Sequence, residues 1–345
     1  MTMLIKNLSL VIPCFNEVNI ISSTLDAIFS YMDQKHPQVQ LEIILVNDGS
    51  TDETLNKVVN YQKGEKRLKL INFTINKGRG AAMKAGIAES SSEYIMFLDA
   101  DLSYDVEHIS EVISYFERTP KTDVIIVSPY MKGGMFKNIP ILRLITSRVA
   151  NWILSGFFSQ DISTVTSMVR AYRAEVIKDL VLIENGKELH LEILRKLYLV
   201  GADIAEIPGR LIWKEKKNRS NRISARAIAS SAKKHLLYGF LSRPTRIIGK
   251  LAIVVLLISF WEFFNLVRIF LSFYAPKDHW FGRDLWVGLS QTFNNSPHTV
   301  IIAVVGLIIS IQILTYLALF SILNMQHEEQ LQHLIMLFKK ENNKK

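Results

Sequence analysis

Cysteine is almost absent. Cys14 stands alone in 345 residues, which excludes an internal disulfide and any zinc cluster built from cysteines. A lone thiol also fits a reducing compartment. Nine prolines and 16 glycines exclude collagen-like and low-complexity chains. Disorder is excluded by 49% hydrophobic residues against 21% charged ones. The first apolar run is not followed by Gly-x-Gly-x-x-Gly, which disfavours a dinucleotide-binding fold, and a Walker A loop is missing as well. Met1–Pro13 has too short an apolar stretch and no cleavage site for a signal peptide, so none is expected.

Acid is scarce in one place. Residues 211–250 hold eleven Lys and Arg against Glu215 alone, a local charge of +10 in a chain of +9, so the remainder sums to −1. A mean hydropathy of +0.17 beside that charge means that apolar and basic residues are segregated along the chain. The basic segment abuts Leu251–Ala275, and Thr299–Leu323 follows later; each is a run of 25 mostly apolar residues, the second without charge. About 20 such residues cross the hydrocarbon core as a helix. The stretch between them is neutral, Lys277 and Arg283 offsetting Asp278 and Asp284, and the tail ends in Lys339, Lys340, Lys344 and Lys345. The positive-inside rule then places both termini and the N-terminal domain in the cytoplasm of an integral membrane protein. A nucleic-acid partner is not expected, because the basic run borders a span and lacks an aromatic stacking platform. Ile223–Leu241 reads as an amphipathic helix in the headgroup layer. Within the first span, Glu262, Asn265 and Arg268 share one side of the helix and read as glue between helices rather than as a substrate contact.

The first 210 residues alternate. Leu8–Ile12, Leu41–Val46, Leu68–Phe73, Tyr94–Leu98 and Val124–Val127 read as strands, with helices expected at Val18–Met32, Asp52–Tyr61, Arg79–Glu89 and Val106–Phe116. That pattern predicts an α/β fold with a mainly parallel, Rossmann-like sheet covered on both faces. Ligands of such sheets bind beyond the carboxyl ends of the strands. Polar residues gather there: Asn16 and Glu17 after the first strand, Asp48 after the second, and Asp99 and Asp101 after the fourth.

Three constellations carry chemistry. Asp99-Ala100-Asp101 ends a buried strand and offers two hard oxygen ligands suited to Mg²⁺ or Mn²⁺ near a diphosphate; a helix cap beside a solvated acid is the bland alternative. Asn47-Asp48-Gly49-Ser50-Thr51-Asp52 is turn chemistry, or else Asp48 accepts hydrogen bonds from a nucleobase or ribose. Asn76-Lys77-Gly78-Arg79-Gly80 precedes a helix and lets backbone approach a nucleotide, with Lys77 or Arg79 near phosphate or base.

Taken in order, Val11–Glu17, Val46–Asp52, Asn76–Gly78 and Leu98–Asp101 resemble a family-2 glycosyltransferase with a GT-A fold. With two C-terminal spans, the layout is similar to the polyprenyl-phosphate branch that includes dolichyl-phosphate mannose synthases. Tyr130-Met131-Lys132-Gly133-Gly134, the Arg143/Ser147/Ala150/Asn151 spacing, Glu192 and Glu206-Ile207-Pro208 resemble further elements of that branch. Three positions depart from it: Pro129 stands in place of Arg, Ser103 in place of Gln, and Thr164 in place of Asp, with Asp161 three residues earlier as the candidate replacement.

The resemblance implies a metal-dependent, inverting transfer of a hexose-type sugar from a UDP- or GDP-linked donor to a polyprenyl phosphate, by a homo-oligomer in the bilayer. The catalytic candidates are Asp99, Asp101, Arg143 and Asp161. Pro13, Asn16, Glu17, Asp48, Lys77, Gly78 and Asp99 are expected at the nucleotide. Lys132, Arg143, Arg219 and Arg222 are expected at the acceptor phosphate, and Asp99 and Asp101 at the metal. The expected organisation is a catalytic domain over 1–215, a basic juxtamembrane segment over 216–247, spans at 248–275 and 299–323 joined by an extracytoplasmic loop at 276–298, and a cytoplasmic tail over 324–345. Two rival readings stand beside it. A lipid-hydroxyl acceptor would need Asp161 or Glu192 as a base, and a degenerate protein would bind nucleotide-sugar only. A processive polysaccharide synthase is disfavoured by having only two spans and no Gln-x-x-Arg-Trp.

Overall fold

The computed structural model describes residues 4–141, 144, 147, 148, 151, 162–213, 244–273 and 283–342. The chain divides into two compact units, Met1–Ser242 and Arg243–Lys345.

In the first unit the strands are β1 (Asn7–Cys14), β2 (Gln40–Asp48), β3 (Leu68–Phe73), β4 (Tyr94–Phe97), β5 (Val124–Ser128), β6 (Met135–Lys137), β7 (Arg170–Arg173), β8 (Ile204–Pro208) and β9 (Arg210–Ile212). The helices are α1 (Ile21–Lys35), α2 (Thr54–Gly64), α3 (Arg79–Glu89), α4 (His108–Arg118), α5 (Ala174–Lys178) and α6 (Leu189–Leu199). The main sheet runs β3-β2-β1-β4-β7-β5-β8, parallel except for β7, which is antiparallel to both of its neighbours; β6 and β9 form a small parallel pair.

Period-two alternation divides the buried side chains between two faces. Leu10, Ile12, Ile43 and Leu45 pack with Leu25 and Ile28 of α1 and Val112 and Phe116 of α4. Val11, Ile44, Val46 and Phe97 pack with Met83 and Ile87 of α3 and Leu194 and Leu197 of α6. Burial on both sides explains why these strands read as nearly continuous Val/Ile/Leu runs. The mainly parallel sheet of the GT-A expectation is therefore present. The sequence pattern missed β7, a four-residue strand with arginine at both ends. Arg170, which opens it, is fully buried and donates to the carbonyls of Ser167, His190 and Val165, at 2.9, 3.1 and 2.7 Å. It is a structural arginine, satisfied by backbone.

Helix α3 sits unusually close to β1. A Cβ on Gly86 would lie 2.2 Å from Cγ1 of Val11, a central-strand side chain with no room to move. Gly86→Ala is expected to destabilise the unit by about 1–3 kcal/mol, the usual cost of overpacking. Adding Val11→Ala should recover part of that loss, as measured by urea unfolding. Two substitutions whose effects simply add would contradict this contact.

Outside the main sheet, β9 is tied to α4 through His108, which is fully buried. Its Nε2 accepts the Arg210 N–H at 3.0 Å, so the proton sits on Nδ1 and is donated to Glu111 at 2.6 Å. Burial holds the His108 pKa below its ordinary value, and burial does the same for His36 and His190. The folded state then binds fewer protons than the unfolded chain as pH falls below the normal histidine range near 6.5. Stability is therefore full above that value and declines below it. Thermal unfolding is expected to shift downwards between pH 7.5 and 5.5, and less so in His108→Gln.

The second unit holds α7 (Pro244–Phe273), α8 (Arg283–Asn295) and α9 (Pro297–Asn342). Two stretches are long and apolar enough to cross a membrane: Ala252–Ser272, 21 residues, and Pro297–Leu323, 27 residues. They pack through small residues. A Cβ on Gly306 would meet the Ser259 hydroxyl at 2.2 Å, and Ala252, Ala303 and Ser310 are buried. Leu257, Phe260, Trp261 and Ile308 are exposed on the outer faces. Glu262 and Asn265 are half-buried and Arg268 is exposed. Helix α8 lies within the stretch expected to be a loop, and α9 continues well into the expected tail. Most of the basic segment, including Arg219 and Arg222, lies outside the described residues, as do Arg143 and Asp161.

Candidate active site

Strands β1, β2 and β4 are parallel neighbours, so their carboxyl ends open on the same edge. The chain runs from β1 to β2 on one side, whereas β4 joins β1 on the other. This is the switch point at which such sheets leave a crevice.

Pro13 pairs with Val46 near the end of the β1–β2 ladder. Beyond it the backbone turns sharply at Asn16, whose φ of +56° is a left-handed conformation that asparagine tolerates. The turn is locked to the one after β2. Asn16 N–H donates to Ser50 Oγ at 3.0 Å, and Asn16 Oδ1 accepts the Thr51 N–H at 2.9 Å. Glu17 N–H donates to Thr54 Oγ1 at 2.9 Å. Cys14 is buried beneath this junction. Burial first, then the charges of Glu17, Asp52 and Asp48, push its thiol up to about 12. It is a buried thiol that stays neutral at physiological pH.

Asp48 is buried, and each of its carboxylate oxygens accepts one backbone N–H. Its Oδ1 accepts the Lys77 N–H at 2.7 Å and its Oδ2 the Gly78 N–H at 3.0 Å. The carboxylate therefore clamps the glycine-rich loop to the end of β2. Each oxygen retains a further lone pair for a ligand. Gly78 has φ +97°, and a Cβ there would lie 2.5 Å from the Asn185 carbonyl oxygen; Gly80 meets the Gly186 carbonyl oxygen at the same distance. Ala81 N–H donates to Asn185 O at 3.1 Å, so the Asn185-Gly186 turn forms a platform under the start of α3. The sequence signal for that platform was the turn dipeptide itself. The Lys77 ammonium lies 4.5 Å over the Phe73 ring.

The Asp-Ala-Asp turn after β4 is pinned on several sides. Thr24 Oγ1 of α1 donates to the Ala100 carbonyl at 2.7 Å. Leu102, with φ +47°, donates its N–H to the Asp99 carbonyl at 3.1 Å. Ser103 N–H donates to Asp101 Oδ1 at 3.0 Å, and the Ser103 carbonyl accepts Ile212 N–H at 2.8 Å. Arg79 Nη1 stands 3.9 Å from Asp99 Oδ1, a half-exposed pair that contributes little stability by itself. Among the described residues no group of three or more His, Cys, Asp or Glu could hold a metal. Two hard carboxylates at a crevice nevertheless fit Mg²⁺ or Mn²⁺, which are commonly held by one or two carboxylates together with substrate phosphates.

On the far side of the crevice, Lys132 is exposed in the turn after β5. The Tyr130 hydroxyl meets that of Ser147, and the Arg148 guanidinium lies 5.8 Å from the Phe136 ring centre. Residues 163–166 are held as a rigid loop. Glu206 accepts the N–H groups of Ser163 and Thr164 at 2.8 and 3.1 Å, and Asn151 Oδ1 accepts Val165 N–H at 3.1 Å. Asn151 and Glu206 thus serve the scaffold.

Glu192 is nearly buried and takes the N–H groups of Ile183 and Glu184, at 2.9 and 2.8 Å, together with the Lys196 ammonium at 2.6 Å. Despite the opposing pull of burial, these donors hold its pKa below the ordinary carboxylate value. It is poorly suited to act as a base.

A family model described as glycosyl transferase family 2 matches residues 9–181. Similar curated proteins include a poly-β-1,6-N-acetyl-D-glucosamine synthase of Staphylococcus epidermidis, 25% identical over 215 residues, covering 61% of this chain and 50% of that protein. A dolichol-phosphate mannosyltransferase of Pyrococcus furiosus is 31% identical over 192 residues, covering 54% and 52%. A dodecaprenyl-phosphate galacturonate synthase of Rhizobium johnstonii is 29% identical over 285 residues, covering 82% and 72%. The chain spans about half the length of the first curated relatives it matches. Among solved structures, glucosyl-3-phosphoglycerate synthase of Mycobacterium tuberculosis, in complex with Mn²⁺, uridine diphosphate and phosphoglyceric acid, superposes with a TM-score of 0.51 at 16% identity, covering 69% of this chain and 78% of that one. At that identity the likeness speaks for the fold.

Proposed function

The chain belongs to glycosyl transferase family 2, and from that premise we propose that it transfers a hexose-type sugar from a UDP- or GDP-linked donor to a polyprenyl monophosphate at the cytoplasmic face of a membrane. The observation that carries this reading is the convergence of Asn16, Glu17, Asp48, Asp99 and Asp101 at one switch point, in a chain whose second unit holds two helices long enough to span a bilayer. The Rhizobium relative supports the acceptor class, since its name specifies a dodecaprenyl phosphate and the match covers most of both chains.

The chemistry follows from the acceptor. A phosphomonoester has a second pKa near 6, so at neutral pH its oxygen is already an anionic nucleophile. A general base is then unnecessary, which agrees with a Glu192 fully occupied by donors. An acceptor phosphate oxygen bonds to the anomeric carbon as the bond from that carbon to the diphosphate oxygen breaks. In-line displacement inverts the configuration, and the nucleoside diphosphate leaves.

The residues divide the work. Asp48 holds the Lys77–Gly78 backbone against the nucleoside, and Pro13, Asn16 and Glu17 shape the facing wall. Asp99 and Asp101 would hold Mg²⁺ or Mn²⁺, which offsets charge on the leaving diphosphate when bound. The first requirement of the site is to bring two anions together in attack geometry, and basic side chains serve it. Lys132, Arg143, Arg219 and Arg222 are the candidates for this in our reading, with Asp161 a further catalytic candidate. Both termini and the catalytic unit lie on the cytoplasmic side in this reading, and the protein assembles as a homo-oligomer.

The test is incubation of the full chain in detergent with Mg²⁺ or Mn²⁺, undecaprenyl or dolichyl phosphate, and a panel of UDP- and GDP-sugars, with nucleotide release measured with and without the lipid. Lipid-dependent release from one donor is expected. Nucleotide binding without lipid-dependent release would reject the polyprenyl acceptor, and failure to bind any nucleotide would favour a degenerate protein.

A further inference from the structure

Helix α8 departs most from a simple connection between spans. One residue, Ser296, separates it from Pro297, where α9 and the second span begin. That short link places its C-terminal end at the edge of the hydrocarbon. At about 100° per residue its side chains fall into three sectors. Gly288 and Thr292 are buried, and a Cβ on Gly288 would lie 3.1 Å from the Phe270 ring of α7. Beside them stand Trp286, Leu289 and Phe293, all exposed, at 73%, 45% and 55%. Opposite lie Ser290, Gln291, Asn294 and Asn295, exposed and polar, with Val287 the one apolar residue among them.

The apolar sector is also one wall of a cavity. Trp286, Leu289 and Phe293, with Leu266 and Phe270 of α7 and Val300 of α9, line a space of about 540 Å³. Its polar lining is Thr292 of the buried sector, with Ser290 and Asn294 of the exposed polar one. Val267 and Leu271 of α7, and Ile301 and Val304 of α9, are exposed as well. Exposed apolar side chains gathered in this way mark an interaction site. The sequence of α8 carries one Arg and one Asp, so attraction to charged headgroups would contribute little and apolar burial would hold it. A tryptophan at such a level is typical of the membrane interface.

We infer that α8 is an interfacial helix lying in the headgroup layer at the loop end of the hairpin, and that its groove against α7 takes a hydrocarbon chain of a bilayer lipid. The inference rests on the membrane reading of the two spans and goes beyond it, since a spanning hairpin needs no helix in its connection.

Spin labels on the full chain reconstituted in phosphatidylcholine vesicles test it. The native thiol of Cys14 is buried and neutral and takes no label. Single cysteines are introduced as Trp286→Cys, Leu289→Cys, Phe293→Cys, Gln291→Cys and Asn295→Cys, with Leu257→Cys and Ile308→Cys as references on the exposed faces of the spans. Collision with oxygen reads lipid, and collision with a water-soluble nickel chelate reads solvent. The expected ratio of oxygen to nickel accessibility is several-fold higher at 286, 289 and 293 than at 291 and 295, and lies between those two positions and the deeper references. Lipid-exposed references with equal solvent access along α8 would overturn the inference while leaving the hairpin intact. Shielding of 286, 289 and 293 from both probes would mean that protein, such as a second copy, covers the groove, and would also overturn it. Solvent-exposed references would reject the membrane reading and the inference with it.

Discussion

Asp101→Asn is expected to lower kcat/KM for sugar transfer by at least about 10³-fold, roughly 4 kcal/mol of transition-state stabilisation, the scale of a lost metal ligand at a charged leaving group. The fold should survive. Asp101 Oδ1 accepts the Ser103 N–H, and asparagine retains that acceptor, so the turn that carries the motif remains closed. The other ties of the turn, from Thr24 to Ala100 and from Leu102 to Asp99, do not involve the substituted group. Initial rates with a nucleotide-sugar and lipid phosphate, beside thermal unfolding of the same preparation, separate the two effects. Rates like those of the native protein would remove Asp101 from the metal site. A collapse of stability would mean that the charge, not the acceptor, holds the turn.

Asp48→Ala should act in the opposite proportion, on stability and nucleotide affinity together. Its carboxylate accepts two backbone N–H groups of one loop from a buried position, and each hydrogen bond to a charged group is worth about 1.5–3 kcal/mol. Alanine leaves both donors without partners. A loss of about 3–6 kcal/mol on urea unfolding is expected, with Asp48→Asn intermediate, because its amide offers one acceptor where two donors converge. Nucleotide affinity measured by calorimetry should fall with the loosening of the Lys77–Gly78 backbone. If Asp48→Ala kept native stability and lost only nucleotide binding, the clamp would be incidental and Asp48 would serve the ligand alone.

That double engagement of Asp48 illustrates how far local pattern reaches. Asp48-Gly49 reads equally as turn chemistry or as a nucleoside contact, since both use the same residues. Its position at the end of β2 is legible from the apolar run before it. The loop that it clamps begins 29 residues later, and nothing in the intervening sequence marks the two as partners. Glu192 and Arg170 are similar cases. Glu192 reads as a candidate base, yet beside Lys196 one turn on it is taken up by the backbone N–H groups of Ile183 and Glu184, and the partners of Arg170 are backbone carbonyls; backbone carries no sequence signature. The unforeseen β7 has a related cause. Four residues that begin and end in arginine give no apolar run, and the strand exists because β4 and β5 lie on either side of it.

By itself the sequence determined the apolar strand runs, the helices between them, the acidic and glycine-rich turns at their carboxyl ends, the family resemblance and the two long apolar segments. Apart from the resemblance, which takes four motifs in order between Val11 and Asp101, each of these is written within a window of some 25 residues, where hydrophobic periodicity and turn chemistry act directly on the backbone. Only the tertiary structure decided that β4 lies beside β1, which opens the crevice between Glu17 and Asp99, that α3 approaches β1 closely enough to require Gly86, and that the connection between the spans folds into α8 with its apolar sector toward a cavity. These features depend on which distant segments meet. That choice is made by burying whole faces against one another, a property of the packed chain that no single window contains.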